Sequence, residues 1–174
     1  DGLCGKSHLD FSYVGPTDTH SIEGVSDAEQ FEKTLHSLSI IGIEGPILKS
    51  FLQAICVVLQ LGNLRFESDR NDTDRSTCSS QVELRLLSSL MWIPAKVLAI
   101  RLTQRVVKVR NETTQVPLSA DAAKESTDAL AKQLYDRVFL WLVKIINQAT
   151  TATKLSSSLN HDGVKQYGII GLLD

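Results

Sequence analysis

Ser119 to Thr150 reads S-A-D-A-A-K-E-S-T-D-A-L-A-K-Q-L-Y-D-R-V-F-L-W-L-V-K-I-I-N-Q-A-T, and every local signal in this run agrees on one long helix. It contains neither Gly nor Pro. At about 1.5 Å per residue, some thirty residues give a helix of roughly 45 Å, well beyond the usual globular length. Ser119 is placed to cap the first turn, and Asp121 stands where the helix dipole favours an anion. Leu130, Leu134, Val138, Trp141 and Ile145 form one line at helical spacing, and Ala131, Tyr135, Phe139, Leu142 and Ile146 form a second beside it. A helix apolar over that much of its girth is expected to pack on two sides, with Asp128, Lys132 and Asp136 among its polar remainder.

Immediately upstream the pattern changes from helical to alternating. Thr103 to Val109 is β-branched, Asn111-Glu112 offers a turn, and Thr113 to Leu118 returns as a second strand ending at Pro117. Lys96, Arg101, Arg105, Lys108 and Arg110 precede that turn with no acidic residue between them. A basic arm with an acidic tip suits protein docking, and the alternative reading is a solvated hairpin whose charges only keep it soluble.

The rest of the chain supplies helices for the long one to lean on. Ser26 and Glu29 have the spacing of a capping box, with Val25 as a staple, and Ala28, Phe31, Leu35 and Leu38 give a face that ends near Gly42. Pro46 opens a second helix carrying Ile47, Leu48, Phe51, Leu52, Ile55, Val58 and Leu59, stopped by Gly62 and Asn63 and dense enough in apolar residues to share the long helix's core. Leu64 to Glu67 reads as a short strand, Ser68 to Ser80 as an exposed mobile loop, Val82 to Met91 as a helix, and Pro94 to Ile100 as another. Phe11 and Tyr13 are anchors in a mixed N-terminal stretch, and Thr151 to Gly163 reads as a loop.

The chain has 174 residues, 43% of them hydrophobic, and a formal net charge of -2. That allows one core of ordinary size or two small lobes, and argues against a dedicated nucleic-acid binder. Cys4, Cys56 and Cys78 are odd in number and lack zinc-site spacing, which fits a reduced intracellular protein. The apolar runs at Ile55 to Leu61 and Ile169 to Leu173 fall short of the roughly twenty residues of a bilayer span, so no membrane insertion is expected.

Chemistry is sparse. Gly5-Lys6-Ser7 looks like the end of a phosphate loop but lacks its earlier Gly and preceding strand. His161 and Asp162 have no third group beside them, and there is no zincin motif, G-x-S-x-G elbow or Gly-rich dinucleotide fingerprint. Tyr167 to Asp174, Y-G-I-I-G-L-L-D, reads as a strand covered on both faces, and Asp174 at its end is a position used for ligand or magnesium-water contacts in α/β nucleotide folds. The only Met is Met91, so both ends are expected to be cut from something longer. The residues give a mainly α fold with a small β-hairpin and a terminal core strand.

Several blocks then strongly resemble the myosin motor head. They are F-S-Y-V at Phe11 to Val14, E-G-V-S-D-A-E-Q-F at Glu23 to Phe31, L-Q-L-G-N-L-R-F at Leu59 to Phe66, R-V-V-K-V-R-N-E-T at Arg105 to Thr113, D-A-L-A-K-Q-L-Y-D-R-V-F-L-W-L-V-K-I-I-N at Asp128 to Asn147, and G-I-I-G-L-L-D at Gly168 to Asp174. They keep the family's order and roughly its spacing. The resemblance implies an incomplete piece of an α/β P-loop NTPase-type motor domain, with residues 1 to 163 as the upper actin-binding subdomain and 164 to 174 as a central-sheet strand leading into the second nucleotide-sensing switch. It implies that Arg105, Lys108, Arg110 and Glu112 contact filamentous actin, with Glu112 at the site where the family places an acid or a phosphorylatable hydroxyl. It implies that Asp174 is the second-switch aspartate, the one catalytic and cofactor-binding residue present. ATP and magnesium are expected in the full-length parent, an actin-activated ATPase associated with the cytoskeleton in the cytoplasm, and none for these residues alone, which are expected not to hydrolyse ATP. Gly45-Pro46 departs from the Glu-rich helix start common in the family, and leaves the class open. Two alternatives to a working part of a motor are a non-catalytic actin-binding fragment and an unstable truncated product.

Overall fold

The long helix starts where its cap places it. In the computed structural model, which describes residues 3, 5–14, 24–109 and 112–157, the Ser119 hydroxyl accepts from the Ala122 amide at 3.3 Å, and the helix runs from Ala120 to Ser157. It thus passes Thr150 and takes in the first part of the expected loop. No Gly or Pro stands between Thr150 and Ser157 to stop it. Before it in chain order come a 3-10 turn (His8–Asp10), α1 (Asp27–Ile40), α2 (Gly45–Gly62), β1 (Phe66–Ser68), β2 (Ser76–Cys78), α3 (Gln81–Met91), α4 (Ala95–Thr103), β3 (Gln104–Val109) and β4 (Glu112–Pro117), so the long helix is α5. The architecture is mainly helical with two separate antiparallel pairs, β1 with β2 and β3 with β4. The expected terminal strand, residues 164 to 174, lies outside the described residues.

The chain divides into two units, and α2 and α5 contribute residues to both. Of the described residues, one unit holds 3, 5 to 14, 52 to 109 and 112 to 135. Its core gathers Val57 and Leu61 of α2, Leu64, Cys78, Leu84 and Leu87 of α3, Leu98 and Leu102 of α4, and Ala131 of α5. The second helix therefore shares this core with α5 through its C-terminal half. Full burial on α5 falls on small residues, Ala123, Thr127 and Ala131, one turn apart. Small side chains let neighbouring backbone come close, and the Thr127 hydroxyl is satisfied within the helix by the Ala123 carbonyl at 2.8 Å. Of the second predicted line, Tyr135 and Phe139 are exposed while Leu142 and Ile146 are half-buried, so that side of α5 is covered only in part by the described elements.

Residues 68 to 80 are more ordered than their composition suggests. The Asp69 amide donates to the Arg75 carbonyl at 2.9 Å, Asp72 pairs with Arg75 at 2.9 Å, and Ser76 and Cys78 are buried in β2 opposite Ser68 and Phe66. Local Asp side chains supply the turn, and two alternate residues face the core, too short a pattern to stand out in a polar run. The Ser80 hydroxyl accepts from the Arg65 amide at 2.8 Å, which ties this pair to α3.

Of the described residues, the other unit holds 24 to 51 and 136 to 157. Ser26 caps α1 by accepting from the Glu29 amide at 3.4 Å, one arm of the expected box. The helix ends in a left-handed residue, Gly42 at φ 82. Its amide donates to Ser39 at 3.0 Å and the Ile43 amide to Leu38 at 2.9 Å, while Ile43 and Leu38 are both buried. This is the paired closure with its apolar contact that Gly at this position allows. Phe31, expected on a core face, and Val25, expected as a staple, are exposed. Phe51 of α2 meets Trp141 of α5 with ring centroids 5.9 Å apart. By length and composition α2 matches a membrane span although the Ile55 to Leu61 run alone does not, yet its last turn is buried in protein core with Gln60 among the buried residues.

Candidate functional site

The hairpin grows directly out of the core. Helix α4 ends at Thr103 and the next residue, Gln104, already has extended backbone and opens β3. The Thr103 hydroxyl donates to the Ala99 carbonyl at 2.8 Å, the Leu118 amide donates to the Thr103 carbonyl at 2.9 Å, and the Ser76 hydroxyl donates to the Leu118 carbonyl at 2.8 Å. The base is thus fastened to α4 and to β2, with Leu98 and Leu102 buried beneath it. Beyond the base, Arg105, Val106, Lys108, Thr113, Thr114 and Gln115 are exposed.

Register sorts the charges. Arg105 lies opposite Val116 and Lys108 opposite Thr113. Successive strand residues point to opposite faces, so Arg105 shares a face with Val107, Thr114 and Val116, while Lys108 shares the other with Val106, Thr113 and Gln115. Neither cation forms an ion pair among the described residues. Lys96 and Arg101, read as part of the same basic arm, stand on α4 instead. Glu112, read as part of the turn, pairs with Val109 and opens β4. Arg110 and Asp174 lie outside the described residues, and so do Asn111, His161 and Asp162. Among the described residues no group of three or more His, Cys, Asp or Glu side chains is placed to hold a metal ion.

A second cluster was not legible as a site. The N-terminal stretch is pinned to the end of α2: the Asn63 side chain accepts from the Ser12 amide at 2.9 Å and donates to the Asp10 carbonyl at 2.7 Å. The Tyr13 hydroxyl donates to Asp128. Lys124 donates to the same carboxylate oxygen at 2.8 Å and to the Gly62 carbonyl at 3.1 Å, and its Nζ lies 5.4 Å from the centre of the Tyr13 ring. Partial burial, then the hydrogen bond to Asp128 and its negative charge, push the Tyr13 phenol far above its usual range. Partial burial opposes ionisation of Asp128, but hydrogen bonds from Lys124 and Tyr13 and the charges of Lys124 and Lys132 outweigh it and hold the carboxyl below its ordinary value. The four-residue spacing of Lys124 and Asp128, together with a Gly in the last turn of α2, is the sequence signal that marks this cluster.

Gly5, Lys6 and Ser7 form no phosphate cradle. Ser7 caps the 3-10 turn, its hydroxyl accepting from the Leu9 amide at 3.3 Å and its amide donating to Asp10 at 2.7 Å. Lys6 faces a polar cleft of about 780 Å³ shared with Arg65 and with the carboxylates of Asp10, Glu67 and Glu83, a mixture that does not favour an anion.

The chain matches the myosin head (motor domain) family over residues 3–174. It is 35% identical over 151 residues to unconventional myosin-Ib of Rattus norvegicus, covering 84% of this chain and 13% of that protein. It is 31% identical over 165 residues to unconventional myosin-Vb of Mus musculus, covering 95% of this chain and 8% of that protein. It is 33% identical over 152 residues to myosin IC heavy chain of Dictyostelium discoideum, covering 84% and 12% respectively. The chain thus spans only 8% to 13% of the length of these relatives.

Proposed function

This chain belongs to the myosin head (motor domain) family, and on that premise we propose that it is part of an ATP-driven motor that moves on filamentous actin. Its contribution is a filament-docking hairpin. The observation that carries this reading is the β3–β4 pair, anchored at its base to α4 and β2 while Val106 and Lys108 stay exposed and unpaired among the described residues. Arg105, Lys108, Arg110 and Glu112 are the proposed contacts. An exposed cationic surface with an apolar centre suits an acidic protein track, giving steering and register rather than great affinity.

Asp174 is proposed as the aspartate at one edge of the nucleotide site of an α/β P-loop NTPase-type head, where ATP and magnesium act in the whole motor. Phosphoryl transfer needs a phosphate-cradling loop, a magnesium ligand and a water-orienting group together. These 174 residues supply one edge of that set, so by themselves they are expected to bind the filament without turning over ATP. The setting is the cytoplasm, on the actin cytoskeleton.

Co-sedimentation of the motor head with actin filaments over a salt series tests the docking surface. Binding is expected to weaken as salt rises, because exposed charge pairs are screened, and to weaken further on replacing Lys108 and Arg110 together by Glu. Binding that ignores both would count against the hairpin. Phosphate release by the 174-residue chain, with and without filaments, tests the rest; turnover above buffer would contradict the proposed division of labour.

A further inference from the structure

Next to the Tyr13 cluster lies a cleft of about 310 Å³ lined by Tyr13, Val14, Ile55, Val58, Leu59, Asp128, Ala131, Lys132 and Tyr135. Its walls are almost wholly apolar. Ile55, Val58 and Leu59 stand on α2, Ala131 and Tyr135 on α5, and the third wall is the strap that Asn63 and Asp128 hold down. The size is at the lower end for small-molecule sites, and the lining, two aromatic rings over aliphatic side chains, suits a flat apolar body.

The rim chooses the sign of the ligand. Asp128 already accepts from both Tyr13 and Lys124, which spends its charge inside the cluster. Lys132 is exposed and has no ion pair among the described residues. The lining therefore carries one ammonium group, Lys132, and one carboxylate, Asp128, whose charge Lys124 compensates from outside the cleft, and Lys132 is the cation left to meet an incoming anion.

We propose that this cleft is a binding site for a small aryl anion, its ring held between Tyr13 and Tyr135 over Val58 and Leu59, and its carboxylate or sulfonate against Lys132. The site is separate from the hairpin and asks nothing of Asp174.

The probe is anilinonaphthalene sulfonate, added to the folded motor head that contains this chain and followed by fluorescence. Saturable binding is expected. Lys132→Glu should weaken it on the order of tenfold, since a close charge contact becomes a repulsion, and Tyr135→Ala should weaken it by removing one wall. Arg137→Glu, a charge reversal at an exposed position that does not line the cleft, should leave it unchanged. Equal losses for Lys132→Glu and Arg137→Glu, or no saturable binding, would overturn the proposal. Photolabelling of the unaltered protein with an aryl azide sulfonate, which depends on no variant, should mark peptides containing Tyr13, Ile55 to Leu59 or Ala131 to Tyr135; labels confined elsewhere would overturn it as well.

Discussion

The Tyr13 ring occupies the space that a side chain on Gly62 would need. A Cβ built on Gly62 would lie 2.7 Å from Tyr13 Cδ2 and 2.8 Å from Cγ, closer than such atoms approach. The ring cannot easily retreat, because its hydroxyl is bound to Asp128 and the adjoining Ser12 amide to Asn63. Gly62 is the last residue of α2, and its lack of a side chain serves this contact.

Gly62→Ala is therefore expected to destabilise the fold by about 1–3 kcal/mol, the usual cost of overpacking. In a Tyr13→Ala background the clash is gone, and the same substitution should be neutral or stabilising by up to about 1 kcal/mol through helix propensity. Urea unfolding of the four members of this cycle measures the coupling. Equal effects of Gly62→Ala in both backgrounds would mean that the ring does not sit where the structure puts it.

The same cluster fixes how stability responds to pH. The Tyr13 phenol is raised by burial and by Asp128, so its contribution is whole below the unfolded value of about 10 and is lost as pH climbs above it. Asp128 is lowered, so its contribution is present above the unfolded value of about 3.9 and is lost as pH falls through the folded one. An absorbance titration should show a late-ionising tyrosine that disappears in Tyr13→Phe and ionises earlier in Asp128→Asn. A Tyr13 titration unmoved by Asp128→Asn would break the link between the two groups.

Much of this was legible because local signals agreed. Ser119 as a cap, Gly42 as a helix stop, Pro46 in a first turn and the alternation from Thr103 to Pro117 each name a backbone conformation with a steric or hydrogen-bonding reason behind it. What escaped depends on contacts far apart in sequence. The seam on α5 is built from Ala123, Thr127 and Ala131, which a search for bulky stripes passes over, and Tyr135 and Phe139 of the larger line stay exposed. The strap over Gly62 joins residues 115 positions apart. The split of Arg105 from Lys108 follows from their odd spacing along one strand, but which residues of β4 share each face needed the register. Resemblance to a family supplied what periodicity lacked, namely the partner proposed for the hairpin.

That split gives unequal expectations for two charge reversals. Lys108 shares its face with exposed Val106, Thr113 and Gln115, whereas Arg105 shares its face with the half-buried Val107 and Val116. If the outer, more open face meets the filament, Lys108→Glu should weaken co-sedimentation several-fold at low salt, and Arg105→Glu by clearly less. Both gaps should close at high salt as screening sets in. A larger effect at Arg105 would turn the docking face over.

Trp92 offers a test that is independent of any partner. It ends α3 at φ 56, the left-handed region that costs a residue with a Cβ roughly 1–2 kcal/mol, and its side chain is 84% exposed, so little burial compensates. Nearby groups hold the turn: the Ile93 amide donates to the Ser88 carbonyl at 3.2 Å, and the Ser88 hydroxyl donates to the Ile93 carbonyl at 2.6 Å. Trp92→Gly removes the steric cost but loosens the unfolded chain, which offsets part of the gain. The net expectation is a stabilisation of about 0.5–1 kcal/mol in urea unfolding. Trp92→Ala keeps the Cβ and should change stability by no more than about 0.5 kcal/mol. Destabilisation by both substitutions would show that the ring, despite its exposure, holds the corner between α3 and α4 together.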